Sequence, residues 1–254
     1  LSEAEFTDPV AVVELRSQIA NIVAGSIDYG DAASIRLAYG TEHRRRAVTV
    51  TRIRTHRQAR VLSGLDVLVR DEFKPLESKR VGLITNHTGI DHQRRRNVDL
   101  LAEAPNVELK VIFAPEHGLN GVSNQTDIND ATDVATGLPI YSLYRKNLRR
   151  PSSKMLKDLD VLVFDIQDIG SRFYTYITTM AYAMEEAAQH DITFYVLDRP
   201  NPITGQVVEG PVLDDENRSF IGYFPMPVRH GMTVGELATM FNAERKIGAD
   251  LRVI

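Results

Sequence analysis

Between Val81 and Leu197 the chain passes repeatedly through short apolar runs that stop in polar turns, with helical patterns between them. This rhythm constrains the fold more than any other feature. Val81–Thr85 (VGLIT), Val107–Ala114, Leu138–Leu143, Asp160–Ile166 (DVLVFDI) and Ile192–Leu197 all read as strands, the first and the Val111–Ala114 part of the second as buried runs and the fourth as the most strand-like of all. Helices are predicted over Asn97–Ala104, over Pro151–Leu159 and from Arg172 to about Gln189. The last of these carries Phe173, Ile177, Met180, Met184 and Ala187 on its apolar side. Thr233-Val-Gly-Glu236 has capping-box spacing and opens a helix through Asn242, and Leu251–Ile254 reads as the start of another strand. Strands alternating with helices make βαβ units, so the expectation is an α/β fold with a mostly parallel sheet flanked by helices.

The first sixty residues do not share this rhythm. Asp8 and Pro9 suit a helix start, and Val12, Leu15, Ile19 and Ile22 fall on one helical face before Gly25. Val48–Ile53 alternates like a short strand, after the basic run Arg44–Arg46. No chemical constellation occurs here, and the segment reads as an extension or linker.

Composition narrows the function classes. At 254 residues there is room for one large domain, or for one domain and part of another. The net charge is −4 and no basic stripe is interleaved with aromatics, so nucleic acid is not an expected partner. With no cysteine, disulfides, thiol nucleophiles and thiolate metal sites are excluded. No apolar run approaches the roughly 20 residues of a membrane-spanning helix, and no signal peptide opens the chain. The first residue is Leu1 rather than Met, which points to a fragment or a processed product.

In an open parallel sheet the loops beyond the strands' carboxyl ends line the ligand crevice. Four strand ends here deliver polar residues to one edge. They supply Asn86 and His87; Glu116 and His117, followed by the turn glycines Gly118 and Gly121; Asp165, Gln167 and Asp168; and Asp198, Arg199 and Asn201. Arg172, Arg229 and His230 add basic groups, and the Pro227–Gly231 segment is placed to fold back over the crevice. A cleft lined with carboxylates suits general acid–base work. Each residue also has a structural reading: Asp165 or Asp168 as a favourable charge at the start of the next helix, Asp198 as a brace for its own turn. Arg94–Arg96 read as a solvated helix face. No Walker sequence or G-x-G-x-x-G follows any strand, which argues against a standard nucleotide site. There is also no G-x-S-x-G elbow and no H-E-x-x-H.

Seven segments taken together resemble the exo-β-N-acetylmuramidases, bacterial glycosidases that act on peptidoglycan fragments. They are LITNHTG (Leu83–Gly89), FAPEHG (Phe113–Gly118), TGLPIYSLY (Thr136–Tyr144), FDIQDIGSRFYTYI (Phe164–Ile177), LDRPNPITG (Leu197–Gly205), VEGP (Val208–Pro211) and PVRHGMTVGELA (Pro227–Ala238). The resemblance runs from about Val61 to Ile254 and leaves the first sixty residues outside it. It implies a Rossmann-like catalytic domain over 61–242 and the start of a truncated C-terminal domain over 243–254. It also implies release of terminal β-linked N-acetylmuramic acid from the non-reducing end of peptidoglycan-derived saccharides or muropeptides, in a secreted or periplasmic setting. By position Glu116 matches the family's proposed catalytic acid, and Asp165, Asp168 and His117 join it as catalytic candidates. Asn86, His87, Gln167, Arg172, Tyr174, Arg199, Asn201, Arg229 and His230 are the substrate-binding candidates. The muramic lactyl carboxylate calls for a guanidinium, with Arg172, Arg199 and Arg229 as candidates. No cofactor or metal is expected. Two other readings are a metal-dependent hydrolase built on the histidines and aspartates, for which no ligand spacing exists, and a non-catalytic muropeptide-binding module.

Overall fold

Every predicted strand from Val81 onward is found, and together they build one sheet. The computed structural model describes residues 61–254 apart from Thr126 and Asn147. The helix expected near Val12–Ile22 and the strand at Val48–Ile53 lie outside the described residues. The strands are β1 (Arg80–Thr85), β2 (Glu108–Ala114), β3 (Ala131–Thr132), β4 (Pro139–Ser142), β5 (Val161–Asp165), β6 (Thr193–Val196) and β7 (Leu251–Val253). Their spatial order is β3-β4-β2-β1-β5-β6-β7. All neighbours are parallel except β3 with β4. With the two-residue β3 set aside, the six parallel strands follow the doubly wound order of a Rossmann fold, with the reversal between β1 and β5.

The helices are α1 (Gly64–Arg70), α2 (Asn97–Glu103), α3 (Ser153–Leu156), α4 (Tyr176–Gln189) and α5 (Val234–Glu244). Strand side chains alternate between two cores. Leu162 and Phe164 of β5 pack with Met180 and Met184 of α4 and with Leu237 and Phe241 of α5. Val161 and Val163 pack on the other face with Leu65 and Leu68 of α1 and with Val98 and Leu101 of α2. Burial on both faces explains why β5 is apolar without a break until Asp165. At the opposite edge of the sheet Arg80 ties β1 to β5: its backbone N–H, Nε and Nη2 donate to the Asp160 carboxylate at 2.8, 3.0 and 2.8 Å.

Several boundaries differ from expectation. The helix expected from Arg172 starts at Tyr176. The preceding residues are tied down elsewhere: the Arg172 N–H donates to the Val228 carbonyl, and Ser171 bridges to Arg229. Phe173, counted on the apolar helical side, therefore sits in a loop, 54% exposed. The helix near Pro151 shrinks to the four residues of α3. The capping box at Thr233 and Glu236 forms as expected. Sequence reading missed α1, whose cap Ser63 makes a second capping box with Asp66. Arg96 stands at the N-cap position of α2 without a capping bond and Arg95 precedes it, with Asp91, Asp99 and Asp133 as ion-pair partners, so these two arginines do not form a helix face. Leu251–Val253, within the stretch assigned to a second domain, pairs with β6 in this same sheet. No described helix is long and apolar enough to cross a membrane.

Candidate active site

The reversal of strand order opens a crevice above the carboxyl ends of β1 and β5. Thr85 and Asp165 are register partners there, so the residues after them flank the opening. Because β1, β2, β5 and β6 all run parallel, the four polar strand ends arrive at this one edge.

The lowest layer is a buried ion pair. Asp165 has 0% exposure, and each of its oxygens is bonded. Oδ1 accepts from Arg199 Nε at 2.7 Å and Oδ2 from Asn97 Nδ2 at 2.7 Å, while its carbonyl accepts from Thr85 Oγ1 at 2.8 Å. Arg199 also donates through Nη2 to the Ile90 carbonyl. Asn97 fits above Gly89, where a Cβ would stand 2.2 Å from the Asn97 amide nitrogen. Asp165 and Arg199 thus lie beneath the crevice and lock β1, α2, β5 and the turn after β6 together. Asp198 likewise serves the frame, accepting from the Gly235 N–H and from Thr233 Oγ1 at the start of α5.

The second layer holds Asp168 and His230, both buried. His230 Nδ1 accepts from the Met232 N–H at 3.2 Å, which leaves the ring proton on Nε2, where it is donated to Asp168 Oδ2 at 3.1 Å. The Gly170 N–H donates to that same oxygen at 2.6 Å. Asp168 Oδ1 is buried without a hydrogen-bond partner. Gln167 braces the turn by donating to the carbonyls of Asp168 and Pro200. Asn86 accepts from both the N–H and the hydroxyl of Thr88. Its amide nitrogen is buried without a hydrogen-bond partner and faces the Tyr176 hydroxyl.

Glu116 forms the third layer and is half-buried. Its Oε2 accepts from Thr175 Oγ1 at 2.6 Å, and its carbonyl accepts from the Tyr176 hydroxyl at 3.2 Å. The Glu116 carboxylate beside Tyr144 raises that phenol above its ordinary range, with burial adding to the effect. Tyr174 stands edge-on to Tyr176 at 4.6 Å. Burial first, then Tyr176 and the charges of Asp168 and Glu116, push the Tyr174 phenol well up. Tyr174 thus feels the charge of both carboxylates, and Asp168 keeps an oxygen without a partner whereas both oxygens of Asp165 are bonded.

The remaining candidates sit further out. His117 is exposed, at a left-handed φ of 69°, and its Nδ1 is 2.8 Å from the Ser123 carbonyl. His87 packs over Gly121, whose missing Cβ leaves room for the ring. Burial, and secondarily His117, lower the His87 pKa. Arg172 donates to the Pro211 and Met226 carbonyls. Arg229 pairs with Glu209 and donates to the Ile203 carbonyl, and Asn201 links Met232 with Ile203. These three organise the loops between 201 and 232. Thr175, Tyr176, Tyr144, Thr88 and Asn97 went unnoticed in the sequence, although all but Asn97 lie inside its motif segments. Among the described residues, the grouping with ligand atoms close enough for a metal is Asp66, Asp91 and His92. Asp66 caps α1 and Asp91 pairs with Arg95, so both already have partners. His87, His117 and His230 do not join them.

The family described as "Exo-beta-N-acetylmuramidase NamZ, N-terminal" matches residues 81–254. The peptidoglycan beta-N-acetylmuramidase NamZ of Bacillus subtilis (strain 168) is 47% identical over 219 residues, covering 86% of this chain and 53% of that protein. An alignment of that length exceeds the stretch from Val61 to Ile254, so the likeness reaches into the first sixty residues, contrary to the sequence reading. Two DUF1343 family proteins of known structure from Bacteroides fragilis NCTC 9343 share the fold. One has a TM-score of 0.70 at 50% identity and covers 76% of this chain and 49% of its own. The other has 0.66 at 39%, covering 77% and 52%. The chain spans about half the length of these relatives. On the matched span and this identity, the chain belongs to the exo-beta-N-acetylmuramidase NamZ N-terminal family.

Proposed function

We propose that this chain is the catalytic part of a peptidoglycan-directed glycoside hydrolase, releasing terminal β-linked N-acetylmuramic acid from the non-reducing end. The observation that carries the reading is Glu116 just beyond the end of β2, held by Thr175, at the same strand-end edge as a second, buried carboxylate, Asp168. Glycoside hydrolysis needs one carboxyl group to protonate the leaving oxygen and another group to assist on the sugar. Glu116 is half-buried with one oxygen engaged, which suits the acid. Asp168, aimed by His230 and Gly170 with Oδ1 unpartnered, is the assisting group. The Asn86 amide nitrogen offers a donor to a substituent of the sugar. The activity named for the Bacillus subtilis relative supports this substrate class. Peptidoglycan lies outside the cytoplasmic membrane, which favours a secreted or periplasmic setting.

The test is Glu116→Gln in the full chain, assayed on a muramic disaccharide and on an aryl muramide with an activated leaving group. Loss of general acid catalysis costs about 10²–10⁴-fold on the disaccharide. The aryl substrate needs the proton less and is spared. Equal losses on the two, with an unchanged melting temperature, would remove Glu116 from the acid's role.

A further inference from the structure

The residue that recognises the acidic arm of the sugar has still to be found, because the three arginines named from sequence are engaged elsewhere. Arg199 is paired with Asp165 beneath the crevice, Arg229 with Glu209, and Arg172 holds two loop carbonyls. Arg149 differs from all three. It lies in the turn that leaves β4, and that turn abuts the end of β2: Ser142 is the register partner of Ala114, and the Leu143 N–H donates to the Ala114 carbonyl at 2.8 Å. Glu116 is two residues further along. The Arg149 guanidinium carbon rests 4.0 Å from the ring centre of Tyr144 and 4.4 Å from that of Phe220. Two aromatic faces hold the fork in place through cation–π attraction, and Nη1 is left without an acceptor among the described residues.

Its neighbours show what an ordinary arginine of this turn does. Arg145 pairs with Asp130, and Arg150 with Glu185 and Glu186. Arg149 forms no such pair among the described residues, and its Nη1 is shut off from solvent with no acceptor. A buried cationic donor without an acceptor is costly, and an incoming carboxylate removes that cost while making a charge-assisted bond. Tyr144 is the physical link, since one face carries Arg149 while its hydroxyl lies beside the Glu116 carboxylate.

We propose that Arg149, held on Tyr144 and Phe220, is the specificity residue that binds the lactyl carboxylate of the sugar whose glycosidic oxygen Glu116 protonates. The proposal rests on the reading of the function given above. It assigns to one side chain the choice between muramic acid and its neutral counterpart, N-acetylglucosamine.

The experiment compares the full chain with Arg149→Lys, which keeps the charge and loses the planar fork, and with Arg149→Gln. Calorimetry measures binding of free N-acetylmuramic acid and of N-acetylglucosamine, and kinetics measures KM and kcat on the disaccharide. We expect muramic acid affinity to fall roughly tenfold to a hundredfold, KM to rise in step, kcat to change little, and binding of the neutral sugar to stay as it was. Equal loss on both sugars at an unchanged melting temperature would overturn the proposal, as would unaltered discrimination. So would loss of discrimination in Arg172→Lys or Arg229→Lys while Arg149→Lys retains it. If the parent protein discriminates between the sugars through Arg149 but cleaves nothing, the hydrolase reading fails and only the carboxylate-binding role of Arg149 stands. A parent that binds neither sugar ends both.

Discussion

A carboxylate with no exposed surface and a partner on each oxygen is bound into the frame, and Asp165 is such a group. Truncating it leaves the Arg199 guanidinium buried and unpaired, a change that typically costs about 3–5 kcal/mol. Asp165→Ala is therefore expected to lower the melting temperature by roughly 10 °C, read by thermal denaturation. A variant that melts like the parent yet loses activity would move Asp165 from the frame into the chemistry. Sequence could not separate Asp165 from Asp168. Both stand at the end of the same strand, and only the partners tell them apart: Asn97 and Arg199 reach Asp165 across 68 and 34 residues of chain. Glu116 was legible because its position depends only on where β2 stops. The partners of the three arginines were hidden for the same long-range reason, since composition cannot show which guanidinium groups are already engaged.

At the level of elements, the strand and helix pattern was readable because burial on both faces leaves an unbroken apolar run, and such runs are visible in sequence. The start of α4 was not readable, because it is set by the Arg172 N–H reaching Val228 far along the chain. The contact between the first residue of β1 and the residue just before β5 has a titratable consequence. Arg80's side-chain bonds, ahead of its backbone bond, depress the Asp160 pKa to about 2, against about 3.9 in an unfolded chain. With the folded value lower, the contribution is complete above about pH 4 and is lost as pH falls toward 2, where the unfolded chain takes up the proton first. The pair is partly solvated, so its contribution is small. Asp160→Asn is expected to be less stable than the parent at pH 6, with the gap closing by pH 2.5. A gap that stays constant over that range would show that the latch does not titrate.

For the molecule as a whole, the sheet lies between two cores that share the same strands, so neither core can dissolve alone. Leu83 packs on the α1–α2 face and Leu237 on the α4–α5 face, both with 0% exposure. Leu83→Ala and Leu237→Ala are each expected to cost about 2–5 kcal/mol. Each should shift one common unfolding transition of this unit. Tyrosine fluorescence and far-ultraviolet circular dichroism, followed together in urea, are the check. Two transitions that separate by probe would mean that the faces melt independently.

The pairing of β1 with β5 also bears on how the protein comes into being. The Thr85 hydroxyl meets the Asp165 carbonyl across 80 residues, so the middle of the sheet closes only after α2, β2 and β4 have been made. Non-local parallel pairing of this kind carries its loop-closure entropy before any contact rewards it, and it folds slowly. The same closure seats Asp165 on Asn97 and brings the end of β1 against the turn that carries Asp168. A nascent chain therefore has no cleft until its core is nearly complete, and an intermediate that stalls before β5 docks exposes two unpaired strand edges to aggregation.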